Sequence, residues 1–448
     1  TIDGDIQVKT KDSQVLCAIS FGFHSAARAF SQNISNLTTD AGSDIKYWHI
    51  CKVMGRVASH LTLECAFQTH ANLTLIGEEL ADYTDLKRLE KDGEGIDYTA
   101  YGMTLRHLSR LICDVIVKRA AGGKNYGVMI IPEGILEFIN EIQVFIIKLN
   151  TIIADYNKIH DTDFHLAFPT LSDKLEYLRR LARVMGENRP FPIWNIRDDD
   201  LFNQLPEFFQ EGLLVERDMH GNFQFSQVKT EKIIMDMVKE YLDVLKEQGL
   251  YKIGIERGFF DSRVSDTGLD RDRVARTLFR DPDQTHLLIR PAIISLKTLK
   301  QALVSEGLLS DEEPLPRGLV EIFKKSEPRF KTQTHFYGYD GRGSDPTHFD
   351  CNYTYNLGLT AFHLIANHAT GQMAVIRNLE SDFSSWEPMG VPIARLMHLE
   401  ERKGALELVI EKSLVDLDSN AFRIFKALRE QWLAAGTGQD RYRRPGPV

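Results

Sequence analysis

The sequence predicts an α/β fold in which a mostly parallel sheet is flanked by helices, and three observations predict it. First, a strand, a tight turn, a helix and a second strand follow one another between Tyr47 and Ile76. That succession in about thirty residues is a βαβ unit, whose crossover makes the two strands parallel. Second, the pattern recurs: Leu105–Arg119 has helical periodicity, Gly127–Ile131 is a strand, and Ile135–Leu149 is helical again. Third, Gly127-Val128-Met129-Ile130-Ile131 is apolar without alternation, as a strand covered on both faces must be.

The elements follow in order. Phe21 to roughly Leu37 reads as a helix, with alanines and apolar residues at helical spacing. Tyr47–Met54 carries the bulky and β-branched residues of a strand, and Gly55 breaks it. Arg56–His70 reads as a helix and Leu73–Ile76 as a strand ending at Gly77. From Asp173 to Gly249 the signal is mainly helical, with a proline break at Arg189–Pro192, a turn at His220–Asn222 and a helix over Glu231–Gln248. Residues 254–330 are polar, rich in Asp and Arg, and broken by Pro282, Pro291, Pro314 and Pro316, which is poor material for a core. Within them, Leu287–Glu306 is apolar enough for one docked helix. Because its ends flank the approach to the next strand, this stretch is expected to project near a site entrance or a subunit contact. Thr334–Tyr339 then reads as a strand, followed by a glycine-rich loop and a helix from about Tyr353.

Composition bounds the function. At 448 residues, with 43% hydrophobic and 26% charged residues, the chain is long enough for two or three domains around a large core. A formal net charge of -9 argues against bulk nucleic-acid binding, which wants a basic face. No apolar run of about twenty residues offers a membrane span, and the polar, acidic start is unlike a signal peptide. The five cysteines are scattered and odd in number, which suits free thiols in a reducing, cytoplasmic compartment.

Four short motifs carry chemistry. Asp3 and Asp5 in Thr1-Ile2-Asp3-Gly4-Asp5 are two residues apart, so an extended segment presents both carboxylates on one side. One could take a proton and the other hold Mg²⁺; the same pair also suits a solvated turn, and Thr1 could be an N-terminal nucleophile. Met54-Gly55-Arg56 ends a strand and opens a helix, where backbone N–H groups, the helix dipole and a guanidinium fork suit a phosphate, unless it is an ordinary βα turn. Glu133 in Ile131-Pro132-Glu133-Gly134 ends the apolar strand, where ligands of open α/β sheets sit, or else it serves a helix N-terminus. Tyr339-Asp340-Gly341-Arg342 could clamp a phosphate or be a surface turn. Gly122-Gly123-Lys124 lacks the Walker spacing and reads as a turn.

Taken together and in this order, with Lys46-Tyr47-Trp48-His49 before Met54 and Gly77-Glu78-Glu79 after it, these motifs resemble the long form of the pyrophosphate-dependent phosphofructokinases. The ending Tyr442-Arg443-Arg444-Pro445-Gly446-Pro447 is similar to theirs as well. The resemblance covers roughly 1–253 and 331–448. It implies the phosphofructokinase fold of two similar domains with a helical elaboration. Residues 1–14 would end the phosphoryl-donor domain and 15–253 would form the fructose 6-phosphate domain. Residues 254–330 would be an atypical insertion, and 331–448 would carry the sugar-phosphate loop and return to the donor domain. The implied reaction is reversible, Mg²⁺-dependent transfer of a phosphoryl group from pyrophosphate to the 1-hydroxyl of fructose 6-phosphate, a glycolytic step.

The resemblance also implies roles. Asp3 would take the proton of the sugar hydroxyl, with Thr1 and Ile2 beside the substrate. Asp5 would lie near Mg²⁺. Met54, Gly55 and Arg56 would line the site, with Arg56 near the transferred group. Glu133 would hold ring hydroxyls. Tyr339 and Arg342, with Asp340 and Gly341 in the same loop, would grip the 6-phosphate. Lys46 and Tyr47 would reach that phosphate in a neighbouring subunit of a homo-oligomer, dimeric or larger, or of a hetero-oligomer with a related subunit. The family's glycine-rich donor loops, and the lysine that usually precedes T-I-D-G-D, lie upstream of that motif. The donor site is therefore expected to be incomplete in this polypeptide. Asn140 stands where the family usually has proline. Two other readings compete: an ATP-dependent 6-phosphofructokinase, disfavoured by Gly4 where those enzymes usually have asparagine, and a non-catalytic regulatory subunit, disfavoured by the intact Asp3, Asp5, Arg56 and Arg342.

Overall fold

The computed structural model of the chain describes residues 8–9, 15–17, 19–55, 58–84, 102–184, 193–203, 205–214, 229–402, 405–410 and 414–436. Its centre is a parallel sheet of four strands: β1 (Trp48–Val53), β2 (Leu73–Thr74), β3 (Gly127–Pro132) and β4 (Thr332–Tyr337), ordered β2-β3-β1-β4. Strands β1, β3 and β4 pair over six residues each, from Trp48 opposite Gly127 and Thr332 to Val53 opposite Pro132 and Tyr337. Their carboxyl ends are therefore level, and the chain leaves all three at one edge.

Both faces of the sheet are covered, as the unbroken apolar run in β3 required. Alternate residues point to opposite faces. Trp48, Ile50, Met129 and Ile131 enter one core with helices α3 (Leu105–Ala121), α4 (Asn140–His160) and α5 (Thr230–Glu247). Cys51, Val53, Val128, Ile130 and Tyr337 enter another with α1 (Phe23–Asp44) and α2 (His60–Thr69). Helix α1 buries Phe23, Ala27, Phe30 and Ile34 at intervals of three and four. It starts after Gly22, and its first amides find a carboxylate from far along the chain. Asp350 Oδ1 accepts from Gly22 N at 2.8 Å, and Oδ2 accepts from Ser25 N at 2.8 Å and Ser25 Oγ at 2.5 Å. An anion there satisfies orphan donors and the positive end of the helix dipole together.

Several expected boundaries shift. Helix α2 begins at His60, four residues later than expected. The expected helix from Ile135 divides into a 3₁₀ turn, Ile135–Phe138, and α4. Asn140 is the first residue of α4, the position where proline is best tolerated in a helix. The expected strand over Thr334–Tyr339 stops at Tyr337, because Gly338 turns the chain (φ -136, ψ -107), and Tyr339–Arg342 form a single helical turn, α10.

Residues 254–330 are the largest correction. They form a module with its own core: Ile255, Phe260, Val274, Leu278, Leu287, Leu299, Leu303 and Ile322, among others, are buried. Its helices are α6 (Arg257–Ser265), α7 (Arg271–Leu278), α8 (Leu296–Ser305) and α9 (Arg317–Lys325). Each is too short for a long hydrophobic period, and prolines separate some of them, so the summed pattern looked coreless. The expected helix over Leu287–Glu306 is only α8; Leu287 lies in a short strand pairing Ile255. The module joins the amino edge of the sheet, away from the edge where β1, β3 and β4 end. Its attachments are Lys331 O to Trp48 N (2.7 Å), Ser326 O to Ile253 N (2.8 Å) and Arg329 N to Asn125 Oδ1 (2.9 Å), all at the amino edge.

After β4, helix α11 (His348–Ala366) packs against a hairpin of Gln372–Arg377 and Glu387–Pro392. Helix α12 (Asn420–Ala434) returns to α2, where Phe67, Phe425 and Trp432 meet and His70 stacks on Trp432 at 4.5 Å. The carbonyls at its end are bound by Asn72, Arg119 and Lys124. Among the described residues there is one parallel sheet, the remaining sheets being two-stranded and antiparallel.

Candidate active site

Three of the sequence motifs leave the sheet together. Met54 and Gly55 follow β1, Glu133 follows β3, and Gly338 to Arg342 follow β4. Backbone hydrogen bonds continue the sheet register past the strand ends. Met54 N donates to Tyr337 O at 2.9 Å, Glu133 N to Val53 O at 2.8 Å, and Gly134 N to Gly55 O at 3.2 Å. Segments eighty and two hundred residues apart in sequence thus share one carboxyl edge, with β1 in the middle. This is the ligand position of open parallel sheets.

Two glycines shape the edge. Gly55 has φ +139, and a Cβ there would meet Ala58 O at 3.1 Å. Gly341 packs directly on α1: a Cβ would stand 2.3 Å from the Phe30 ring. The short helix carrying Tyr339 and Arg342 can therefore lie against α1 only without a side chain at this point. Tyr339 is 77% exposed and the exposed Arg342 guanidinium lies 5.5 Å from its ring centre, so both reach solvent above the sheet edge. Asp340, also exposed, turns back on its own loop and accepts from Gly338 N at 2.8 Å, fixing the turn. Glu133 is 5% exposed, with Thr230 Oγ1 at 3.5 Å from its carbonyl.

Two buried charged residues near this edge carry no role in the sequence reading. Lys52, one residue from the end of β1, has a side chain 5% exposed and pairs with Glu231 at 2.8 Å, its ammonium 4.6 Å from the Phe336 ring centre. A lysine inside a strand of bulky residues was its only signal. Glu78 was noticed as part of Gly77-Glu78-Glu79 but given no role. It is buried, and its Oε1 accepts from Ser59 N at 3.0 Å and Val415 N at 3.0 Å, while Ser59 Oγ accepts from Gly77 N at 2.9 Å. This ring holds the chain after Gly55 to the residues that follow β2 and to the segment before α12. The Ser59 amide, just before α2, is bound to Glu78.

Lys46 and Tyr47 are not at this edge. They precede β1, and Lys46 Nζ lies 3.2 Å from Asp44. Six strand residues, on the order of 20 Å, separate them from Met54. Thr1, Ile2, Asp3, Asp5 and Arg56 lie outside the described residues, as do 437–448. Among the described residues no group of three or more His, Cys, Asp and Glu side chains could hold a metal ion.

A parallel sheet with an arginine-bearing loop, a buried carboxylate and a glycine turn at its carboxyl edge defines an α/β protein of the open parallel-sheet class, which binds ligands at that edge. Residues 2–137 match the family model described as Phosphofructokinase. The chain is 32% identical to the beta subunit of pyrophosphate–fructose 6-phosphate 1-phosphotransferase of Ricinus communis, covering 100% of this chain and 58% of that protein. It is 31% identical to beta subunit 1 from Arabidopsis thaliana, covering 100% of this chain and 56% of that protein. It is 30% identical to the enzyme of that name from Porphyromonas gingivalis, covering 100% and 60%. The chain belongs to the phosphofructokinase family and is similar to its pyrophosphate-dependent members. It spans 56–60% of the length of these relatives. Those alignments run through residues 254–330 as well, since they cover the whole of this chain.

Proposed function

We propose that this chain carries the sugar-phosphate side of a pyrophosphate-dependent fructose 6-phosphate 1-phosphotransferase. The observation that supports it is the shared carboxyl edge, where Met54–Gly55, Glu133 and Tyr339–Arg342 leave adjacent, level strands. Arg342 offers a planar fork for two oxygens of the 6-phosphate, which a lysine cannot match. The Tyr339 hydroxyl adds a donor, and the Glu133 carboxylate accepts from ring hydroxyls. At Gly55 the absence of a side chain lets backbone approach the reacting oxygen. Asp3 is assigned the proton of the 1-hydroxyl, and Arg56 the charge of the transferred group. Transfer is in line, and positioning with charge stabilisation does most of the catalysis.

Mg²⁺ is assigned to Asp5. A single carboxylate suits this ion, which keeps waters and takes its other ligands from phosphate oxygens. The ion would supply charge neutralisation on the phosphates. The beta-subunit names of the plant relatives favour assembly with a second, related chain.

The test, in a polypeptide that also carries the family's donor loops, is fructose 6-phosphate-dependent consumption of pyrophosphate, with ATP as the competing donor. Arg342→Lys is expected to raise KM for the sugar phosphate more than it lowers kcat. Asp3→Ser is expected to lower kcat by roughly 10²–10⁴-fold with little change in KM, the range for a positioned base. Activity with ATP and none with pyrophosphate would overturn the donor, and unchanged KM in Arg342→Ala would overturn the clamp.

A further inference from the structure

The 254–330 module carries a cleft that the reading above does not use. It encloses about 540 Å³ between α7, the end of α8 and the segment that follows Ile289. Arg273, Arg276 and Arg290 line it, over a floor of Ala292, Ile293 and Ala302.

The three arginines are held in place by backbone rather than by acids. Arg273 Nη2 donates to Glu306 O at 2.5 Å. Arg276 Nε donates to Asp272 O at 3.2 Å. Arg290 donates through Nε to Phe279 O at 3.1 Å and through Nη2 to Arg276 O at 2.8 Å. None of the three has a carboxylate partner among the described residues, which include the whole module. Neighbouring arginines do: Arg271 pairs with Asp261 and Asp272, and Arg263 and Arg317 pair with Glu321. The cluster is not a by-product of a basic segment either. Residues 254–330 hold thirteen Lys and Arg against thirteen Asp and Glu, so the unpaired charges are a local arrangement.

Three guanidinium groups at one cleft repel one another, and neutral carbonyls relieve that only in part. Glu306 also lines the cleft, leaving an excess of two positive charges. Each guanidinium has five N–H donors, and these backbone bonds use one or two of them, so several remain for a ligand. Donors already fixed in direction, beside an apolar floor, suit a planar-fork grip on a small oxyanion.

We propose that this cleft binds a phosphoryl dianion, either free phosphate or the phosphate end of a small ester whose carbon body rests on Ala292, Ile293 and Ala302. The site stands on an element attached to the amino edge of the sheet, so it is independent of the fructose 6-phosphate reading.

Hydrogen–deuterium exchange on the whole chain reads the site locally, which matters because phosphate could bind the sheet edge too. Inorganic phosphate, at constant ionic strength set with chloride, is expected to slow exchange saturably in peptides covering 271–278 and 290–305. Arg342→Ala should leave that protection intact. Arg273→Gln combined with Arg276→Gln should weaken half-saturation by about tenfold or more, since each lost charged bond is worth roughly a factor of ten. Arg276→Lys keeps the charge and breaks the fork, so it should weaken binding without threatening the fold. Tighter half-saturation by glycerol phosphate than by phosphate assigns an ester that uses the floor; the reverse assigns the free ion. No protection at about 20 mM phosphate, far weaker than any useful site, overturns the proposal. So does equal protection by chloride alone, or full retention of binding in the double variant.

Discussion

Single side chains decide how the sheet edge is shaped, and Gly341 shows it most directly. A methyl at this position would meet the Phe30 ring at 2.3 Å, so either the ring or the Tyr339–Arg342 turn must move. Gly341→Ala is expected to lower stability by about 1–3 kcal/mol, as overpacking does, and to raise KM for fructose 6-phosphate while kcat changes less. Wild-type KM with an unchanged melting temperature would show that the turn is not braced on α1. A second residue-scale device lies in the sheet. His49 Nδ1 and His335 Nε2 are 3.0 Å apart on neighbouring strands, with His49 Nε2 3.6 Å from Asp40 of α1. Burial pushes both imidazoles below the ordinary 6.5, against the pull of Asp40 on both and of Asp44 on His49. The folded chain therefore keeps them neutral where the unfolded chain takes up protons. Stability is unaffected above that ordinary value and falls as pH drops below it toward the lowered folded values. Urea unfolding at pH 7.5 and 5.5 should show a smaller acid loss in His335→Gln than in the wild type. Equal losses would assign the acid sensitivity elsewhere. None of this was legible in the sequence, because two histidines 286 positions apart become neighbours only through β1–β4 pairing.

At the scale of elements, the sequence revealed most where a long apolar pattern coincided with burial on both faces. Strands β1 and β3 and helix α5 were placed within about two residues, because Trp48–Val53, Gly127–Pro132 and the buried face of Thr230–Glu247 carry nothing ambiguous. The start of α2 was misplaced because its boundary is set by Ser59 and Glu78, a contact across nineteen residues, rather than by a local breaker. The 254–330 module was misread because its core is assembled from two or three residues of each short helix. That assembly has a tight point. Gly318 opens α9 against α6, and a Cβ there would stand 2.2 Å from Arg263 O, a backbone atom that cannot step aside. Gly318→Ala is expected to destabilise the module by about 1–3 kcal/mol. Exchange should rise across Phe259–Phe323 while amides of β1 and β3 stay protected, because the module's core is separate from the two that cover the sheet. Simultaneous loss of protection in β1 would mean that module and sheet unfold as one unit, joined through Ile253, Lys252–Glu327 and Phe330.

Over the whole molecule, the two edges of the sheet divide the candidate residues. The carboxyl edge holds Met54, Gly55, Glu133 and Tyr339–Arg342, while Lys46 and Tyr47 lie at the amino edge with the attachments of the module. Lys46-Tyr47 and Met54-Gly55 lie close together in the sequence, yet an intervening six-residue strand spans on the order of 20 Å, longer than any side chain. Neither residue can reach a ligand above Arg342 of its own chain without dismantling β1. If both serve the 6-phosphate, they serve it in a neighbour, and each complete site then needs two chains related by symmetry. Tyr47 is half-buried, and among the described residues Lys46 is tied only to Asp44, an exposed pair worth little, so both can be recruited by a partner at small cost. Two inactive proteins test this: Lys46→Ala combined with Tyr47→Ala, and separately Arg342→Ala combined with Asp3→Ser. In a mixed dimer of these, one of the two sites takes its own edge from the first protein and its Lys46–Tyr47 from the second, and is intact. Mixing equal amounts and allowing subunits to exchange is expected to restore up to about a quarter of wild-type activity: random pairing makes half the dimers hybrid, each with one good site of two. Native mass spectrometry, with one of the two proteins isotope-labelled, is used to confirm the hybrid dimer before activity is read. Exchange without recovery would leave Lys46 and Tyr47 as surface residues of the amino edge, and the catalytic unit would then be sought within one chain.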